Sequence, residues 1–321
     1  MPKNRFFPLS FALALAAVST LTSATLSAAD LRIAVIPKGT THTYWKSVEA
    51  GARQAGRELG ADIIWQGPLR EDDRAQQIAL VQQFVGSKVS AIVLAPLDEI
   101  ALRGPVQSAA ARNIPVVIID SALKGEPGRD FASFVATDNR RGGQLAGEEL
   151  ARQLHNRGKV VLLRCMEGSA STGDREAGFL DVIRSHPDIT LLVDNRYGGA
   201  TTSSAQDAAM NLLDKLREAD GIFCPNESTT HGMLLALRQT GLAGKKIFVG
   251  FDAAPPLLQA LNKGDIVALV AQNPRRMGYL GVTTAVKKLR GEPIETHIDT
   301  GCALVTRENR NTPEIKALLG L

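Results

Sequence analysis

The chain has 321 residues, 44% hydrophobic and 22% charged, enough apolar material to bury sizeable cores in about two domains. Its 37 basic and 33 acidic residues leave a net charge of +4; the charges are interspersed, which gives no electrostatic reason for a nucleic-acid partner. The three cysteines and five histidines form no CxxC, HExxH or other metal-ligand spacing, so neither a metal nor a cofactor is expected.

In chain order, Lys3 and Arg5 precede an apolar stretch from Phe11 to Leu21, and Ser27-Ala28-Ala29 supplies small residues for cleavage. Residues 1–29 therefore read as an export signal, too short in its apolar part for the roughly 20 residues of a membrane span. Without it, 35 basic residues face 33 acidic ones, and the expectation is a soluble protein of an oxidising compartment. There Cys165 and Cys224, in or beside apolar runs, are read as buried small hydrophobes, with a disulfide between any two of Cys165, Cys224 and Cys302 left open.

From Leu31 onward, short β-branched runs alternate with amphipathic stretches. The runs lie at 31–37, 62–66, 91–96, 115–120, 133–137, 159–164, 190–194, 221–225, 246–252 and 266–272. The expected helices are 71–85, 99–112, 139–155, 175–185, 202–217, 228–241, 255–263 and 275–290, after a first one that places Trp45, Val48, Ala52, Ala55 and Leu59 on one stripe. Strands apolar throughout, alternating with such helices, predict an α/β fold of parallel sheets covered on both faces. Ten strands are too many for one comfortable sheet. The polar segment Lys124–Asp130 and the fresh helix from Asn139 point to two doubly wound parallel-sheet lobes, with a first crossing near residues 134–137.

In open parallel sheets, ligands bind beyond the carboxyl ends of the strands. Polar groups cluster there: Lys38, Asp98, Asp120, Asp138 with Asn139, Asn226 with Glu227, Asp252 and Gln272. Tyr44 and Trp45 stand at the entry of the first helix, in a chain with three tyrosines and two tryptophans. Carboxylates and amides around an aromatic platform suit a sugar, whose hydroxyls bond planar side chains while its C–H face stacks on a ring. Competing structural roles are helix capping for Asp138, core packing for Trp45 and Trp65, and solvated surface for His42 and Lys38. Gly168–Gly173, after a strand and before a helix, could receive an anion at its backbone N–H groups, although capping is the simpler reading. No GxSxG, Walker-type or GxGxxG motif is present, so an enzyme is not expected.

Seven ordered pieces carry a resemblance: Tyr44-Trp45; Pro115-Val-Val-Ile-Ile-Asp120; Ala136-Thr-Asp-Asn139 with Gly142-Gly143; Arg175-Glu-Ala-Gly-Phe179; Ile222-Phe-Cys-Pro-Asn226-Glu227; Val249-Gly-Phe-Asp252; and Ala271-Gln272. Over nearly all of the chain after the leader, this resembles periplasmic sugar-binding proteins of the ribose-binding type, the solute receptors of ABC importers. The resemblance implies two lobes joined by a three-crossover hinge that close on ligand, with residues 30–135 plus 273–298 as one lobe and 136–272 plus 299–321 as the other. It implies ligand contacts at His42, Tyr44, Trp45, Asp120, Asn226, Asp252 and Gln272. Ser121 and Gly173 stand where the ribose receptor has arginines, which leaves Arg175 as the nearby cation and argues against ribose itself. Ile36-Pro-Lys38 is similar to the start of receptors for the sugar-like autoinducer-2 signal, in which the lysine touches ligand, so Lys38 joins the set. The implied function is capture of a monosaccharide, polyol or sugar-like molecule in the periplasm by a monomer that delivers it to ABC permease subunits. The alternative is a sensory receptor that presents its closed form to a membrane kinase or chemoreceptor.

Overall fold

The computed structural model describes Met1 and residues 31–320; the expected export signal, 1–29, lies outside the described residues but for Met1. The first sheet takes β1 (Arg32–Ile36), β2 (Asp62–Trp65), β3 (Ala91–Leu94), β4 (Val116–Ile119), β5 (Ser133–Ala136) and β11 (His297–Asp299), in the order β11-β5-β4-β3-β1-β2. The second takes β6 (Gly158–Arg164), β7 (Ile189–Tyr197), β8 (Gly221–Phe223), β9 (Ile247–Phe251), β10 (Ala268–Gln272) and β12 (Cys302–Thr306), in the order β12-β10-β9-β8-β6-β7. Strand for strand the two orders match, β4 standing where β9 stands and β1 where β6 does. Every pairing is parallel except that of β10 with β12.

Period-two alternation sorts each strand between two cores. Ile33 and Val35 pack with α1 (Thr43–Leu59) and α10 (Pro274–Leu289), whereas Ala34 and Ile36 face α2 (Arg74–Gly86) and α3 (Arg103–Ala110). In the second lobe, Val160 and Leu162 join α4 (Asn139–Gln153) and α5 (Ala170–Arg184). Val161 and Leu163 join the opposite core with α6 (Thr202–Met210), α7 (Leu213–Glu218), α8 (Glu227–Gln239), α9 (Pro255–Lys263) and α11 (Pro313–Leu319).

The chain passes between lobes three times, after β5, after β10 and after β11. The first two passages deliver a helix to the lobe just entered: α4 packs on α5, and α10 on α1. Both dockings use reciprocal glycines. A β-carbon at Gly51 would strike the Arg275 carbonyl and one at Gly278 the Val48 carbonyl; Gly143 and Gly178 stand in the same way against Arg175 and Arg140. Only glycine permits helix backbones so close.

Several expected elements differ. The helix expected over 202–217 is broken by a turn at Asn211–Leu212 into α6 and α7. The helix expected from Arg175 begins five residues earlier, at Ala170, because a Ser/Ala/Thr/Gly run reads locally as loop. The helix expected over 99–112 is confined to Arg103–Ala110; Asp98 instead accepts the backbone N–H groups of Ile100 and Ala101 in a turn. β11, β12 and α11 were not anticipated: β11, His-Ile-Asp, has one apolar residue in three and so no apolar run, whereas β12 carries the run Cys302-Ala-Leu-Val but sits half-buried at the sheet edge. Cys165, Cys224 and Cys302 are free thiols.

Candidate functional site

The carboxyl ends of both sheets face one another across a cleft, and all nine residues singled out in the sequence line a single cavity there: Lys38, His42, Tyr44, Trp45, Asp120, Arg175, Asn226, Asp252 and Gln272. Glu71, Ser171, Thr172 and Glu227 complete its wall. Glu227 carried a strand-end signal beside Asn226. Glu71 carried none, lying in a polar connection between β2 and α2.

The two strand-end aspartates occupy matching places. Asp120 follows β4 and Asp252 follows β9, and both take the left-handed backbone, with φ of 64° and 69°, a conformation aspartate tolerates better than most residues. Asp120 holds the Lys38 ammonium at 2.8 Å and accepts the Tyr44 hydroxyl at 2.9 Å. Lys38 is buried, 4% exposed, and also donates to Ser171 Oγ at 2.9 Å and Ser169 Oγ at 3.5 Å. Its three protons are thus committed to protein oxygens, two of them on the other lobe. The Gly168–Gly173 run therefore presents hydroxyls to a cation, while its Ser171 N–H donates to Ser121 Oγ at 3.0 Å.

Asp252 has no cation bonded to it among the described residues. Its oxygens accept Gln272 Nε2 at 2.7 Å and the Glu227 N–H at 2.8 Å. Burial pushes its carboxyl up; the charge of Arg175 and the Gln272 bond oppose this, the Glu227 charge adds to it, and the result is about 6. Gln272 is itself oriented by Thr137, whose hydroxyl donates to Oε1 at 2.9 Å. Arg175 lies over the Phe251 ring at 4.0 Å. It spends Nε on Asn139 and Nη1 on the Pro225 carbonyl, while Nη2 has no bonded partner among the described residues. Asn226 lines the cavity yet serves as the N-cap of α8: Oδ1 accepts the Thr229 N–H and hydroxyl, leaving one Nδ2 proton beyond its bond to Ser228.

Tyr44 and Trp45 meet edge to face, centroids 5.0 Å apart. Trp45 is 2% exposed and belongs to the α1–α10 core, so the packing role and the cavity role coincide in one ring. Its indole N–H donates to Glu71 Oε1 at 2.5 Å, the same oxygen that lies 3.0 Å from His42 Nδ1.

Glu227 reaches across the cleft. Its two oxygens accept the backbone N–H groups of Thr43 and Tyr44 at 3.1 and 3.0 Å. His42, the N-cap residue of α1, makes no capping bond of its own, so the first turn of α1 is capped by the opposite lobe. Arg74 Nη2 to the Glu167 carbonyl and Glu99 N–H to the Gly168 carbonyl join the lobes at the rim. The lobes are closed, and the cavity volume is about 20 Å³, where one water needs roughly 10–15 Å³; a ligand enters only when these contacts part. A wider groove of about 450 Å³ lies at the amino ends of β4 and β5, lined by Ile114, Phe131 and Leu289; its Arg129 and Asp130 pair with each other at the surface. Asp98 lies outside the cleft cavity and pairs with Arg74, and Asp138 caps α4. Among the described residues no group of three or more His, Cys, Asp or Glu is placed to hold a metal.

Two matching lobes with a polar, charged cavity at their facing strand ends define a protein built to enclose a small polar molecule. The chain belongs to the periplasmic binding protein domain family, whose model matches residues 33–293. A carbohydrate transporter solute binding protein from Agrobacterium radiobacter, solved in complex with D-arabinose, is 34% identical, covers 91% of this chain and 99% of its own, and superimposes with a TM-score of 0.86. An ABC transporter solute binding protein from Agrobacterium vitis with bound D-fucose is 36% identical, covering 89% and 98%, with a TM-score of 0.85. The ribose import binding protein of Escherichia coli is 28% identical over 293 residues, 91% of this chain and 96% of its own.

Proposed function

We propose that this chain is the periplasmic receptor of an ABC importer, that it captures a monosaccharide or polyol between its lobes, and that it presents the closed form to the permease. The lobes are taken as 30–135 with 273–298 and 136–272 with 299–321, the protein acts as a monomer, and residues 1–29 are its export signal. The observation that carries this is the convergence of the nine residues on one interlobe cavity. Four carboxylates face two permanent cations and His42 there, and a near balance of charge suits an uncharged ligand rich in hydroxyls. Arg175 Nη2 and the spare Nδ2 proton of Asn226 are donors available to it, and the Tyr44–Trp45 pair offers an apolar surface. Binding needs no chemistry: the ligand stabilises the closed state by whatever contacts it makes only there.

Relatives named for import and transport support the transport reading over the sensory one. Isothermal titration with D-ribose, D-arabinose, D-fucose and their alditols is the direct test. At least one is expected to bind in the micromolar range or tighter, about −8 kcal/mol. Heat-silent, signal-free titrations with the whole panel overturn the reading.

A further inference from the structure

Glu71 enters the cavity from the segment between β2 and α2, and it bonds no backbone there. Its Oε1 receives two donors at once, the Trp45 indole N–H at 2.5 Å and His42 Nδ1 at 3.0 Å. Its Oε2 and the His42 Nε2 have no hydrogen-bond partner among the described residues, and both residues line the cavity. A carboxylate at Nδ1 fixes the proton there, so the protonation of Nε2 decides whether His42 offers the ligand a donor or an acceptor.

We propose that Glu71 is a positioning residue that determines specificity: it locks the rings of Trp45 and His42, holds His42 as a donor through Nε2–H, and sets its own Oε2 beside it as an acceptor. A ligand is then read by two neighbouring hydroxyls, one accepting from His42 and one donating to Glu71. This rests on the sugar or polyol reading of the cleft. The groups facing His42 from each packed element favour its charged form: Glu71 from the β2–α2 segment, Glu227 from α8 and Asp252 from the end of β9. Burial acts to lower the imidazole, yet the bond and charge of Glu71, helped by Glu227 and Asp252, raise it to about 9. Burial acts to raise Glu71, yet the His42 bond and charge, the Lys38 charge and the Trp45 bond bring it down to about 2.

The test follows the dissociation constant of the tightest-binding panel compound for the native protein, Glu71→Gln and His42→Gln from about pH 5.5 to about pH 8.5. The ratio of Glu71→Gln to native removes the titration of Asp252, which both share. That ratio is expected to be about fivefold at the acid end, where Gln replaces the charged acceptor, and to grow about tenfold further at the alkaline end, as the unsupported imidazole loses its proton. A ratio that does not change with pH overturns the proposal and leaves Glu71 a structural support. If no panel compound binds the native protein, the sugar reading falls and the coupling is judged by proton NMR. The His42 ring signal, assigned by its absence in His42→Gln, is expected to titrate near pH 9 in the native protein and below about pH 7 in Glu71→Gln. A native midpoint below about pH 7 overturns the proposal whatever the ligand.

Discussion

Asp120 and Asp252 are the same residue at the same place in two lobes of matching topology, and they are treated differently. Each ends a fully buried or nearly buried strand, each adopts a left-handed backbone, and each faces the cleft. In the first lobe the connection after β1 supplies Lys38, which neutralises Asp120 directly. In the second lobe the connection after β6 supplies no such lysine, and Asp252 is held by an amide and a backbone N–H. One lobe therefore offers a charge-balanced wall and the other a carboxylate whose ionisation is costly. The matching fold does not fix the electrostatics; the residue two positions past the first strand does.

Removing Lys38 should break the contrast with the largest effect. Lys38→Met leaves Asp120 buried without its cation, at a cost of about 3–5 kcal/mol, and removes two cross-lobe bonds as well. Urea denaturation would show it as a lower midpoint with little change in slope. Lys38→Met combined with Asp120→Asn should recover most of the stability, because the uncompensated charge goes with its partner. A single variant as stable as the native protein would mean that the ion pair does not organise this wall.

Asp252 should show the opposite behaviour. Its folded pKa lies above its ordinary value, so its protonated form is the favoured one. The contribution to stability is complete below about pH 3.8 and is lost as pH rises through about 6. A ligand hydroxyl that donates to the carboxylate reverses this preference, and affinity should increase as pH rises from about 5 to about 7. Asp252→Asn should flatten that profile and weaken binding by about 1–2 kcal/mol, the difference between a charge-assisted and a neutral bond. Its stability should change less than that of Lys38→Met, since Gln272 can turn its amide to meet the new one and Thr137 can donate or accept. Titration calorimetry at three pH values separates the outcomes; a native profile flat through pH 6 removes the role given to Asp252.

How legible these features were in the sequence depended on distance along the chain. The strand-end positions of Asp120, Asp252 and Gln272 follow from local apolar runs, and so does the Tyr44–Trp45 helix entry. The parallel sheets followed from the same alternation. What escaped was set by contacts between segments far apart. Lys38 joined the set through the resemblance, but its partners did not show: Asp120 and the Ser169 and Ser171 hydroxyls of the other lobe meet it only in the fold. Glu71 has no local signal, because its partners His42 and Trp45 come from the connection ahead of α1 and from α1 itself. The matching topology was also hidden. The glycine pairs that dock α10 and α4 recur in both lobes, but the chain enters the two packings in different order, so no sequence repeat registers. Of the edge strands after residue 296, β11 has one apolar residue in three and shows no run, whereas the run of β12 is as long as that of β1 and was legible but missed.

Glu227 provides the smallest and most specific test, because it joins the unlike walls. Its carboxylate caps α1 from the other lobe, so the bond exists only when the cleft is shut. Glu227→Gln keeps the size and one acceptor but removes the charge that meets the positive end of the helix, an effect of about 0.3–1 kcal/mol. Such a loss shifts an open–closed equilibrium by roughly two- to fivefold. Because the cap forms after ligand has entered, the change should fall on dissociation: a two- to fivefold faster off-rate in about the same proportion as the affinity loss, with the on-rate kept. Small-angle scattering on the ligand-free protein should show a matching increase in the open population. If stopped-flow measurements place the change in the on-rate, Glu227 steers the ligand instead of holding the lobes together, and the helix cap is a consequence of closure with no part in stabilising it.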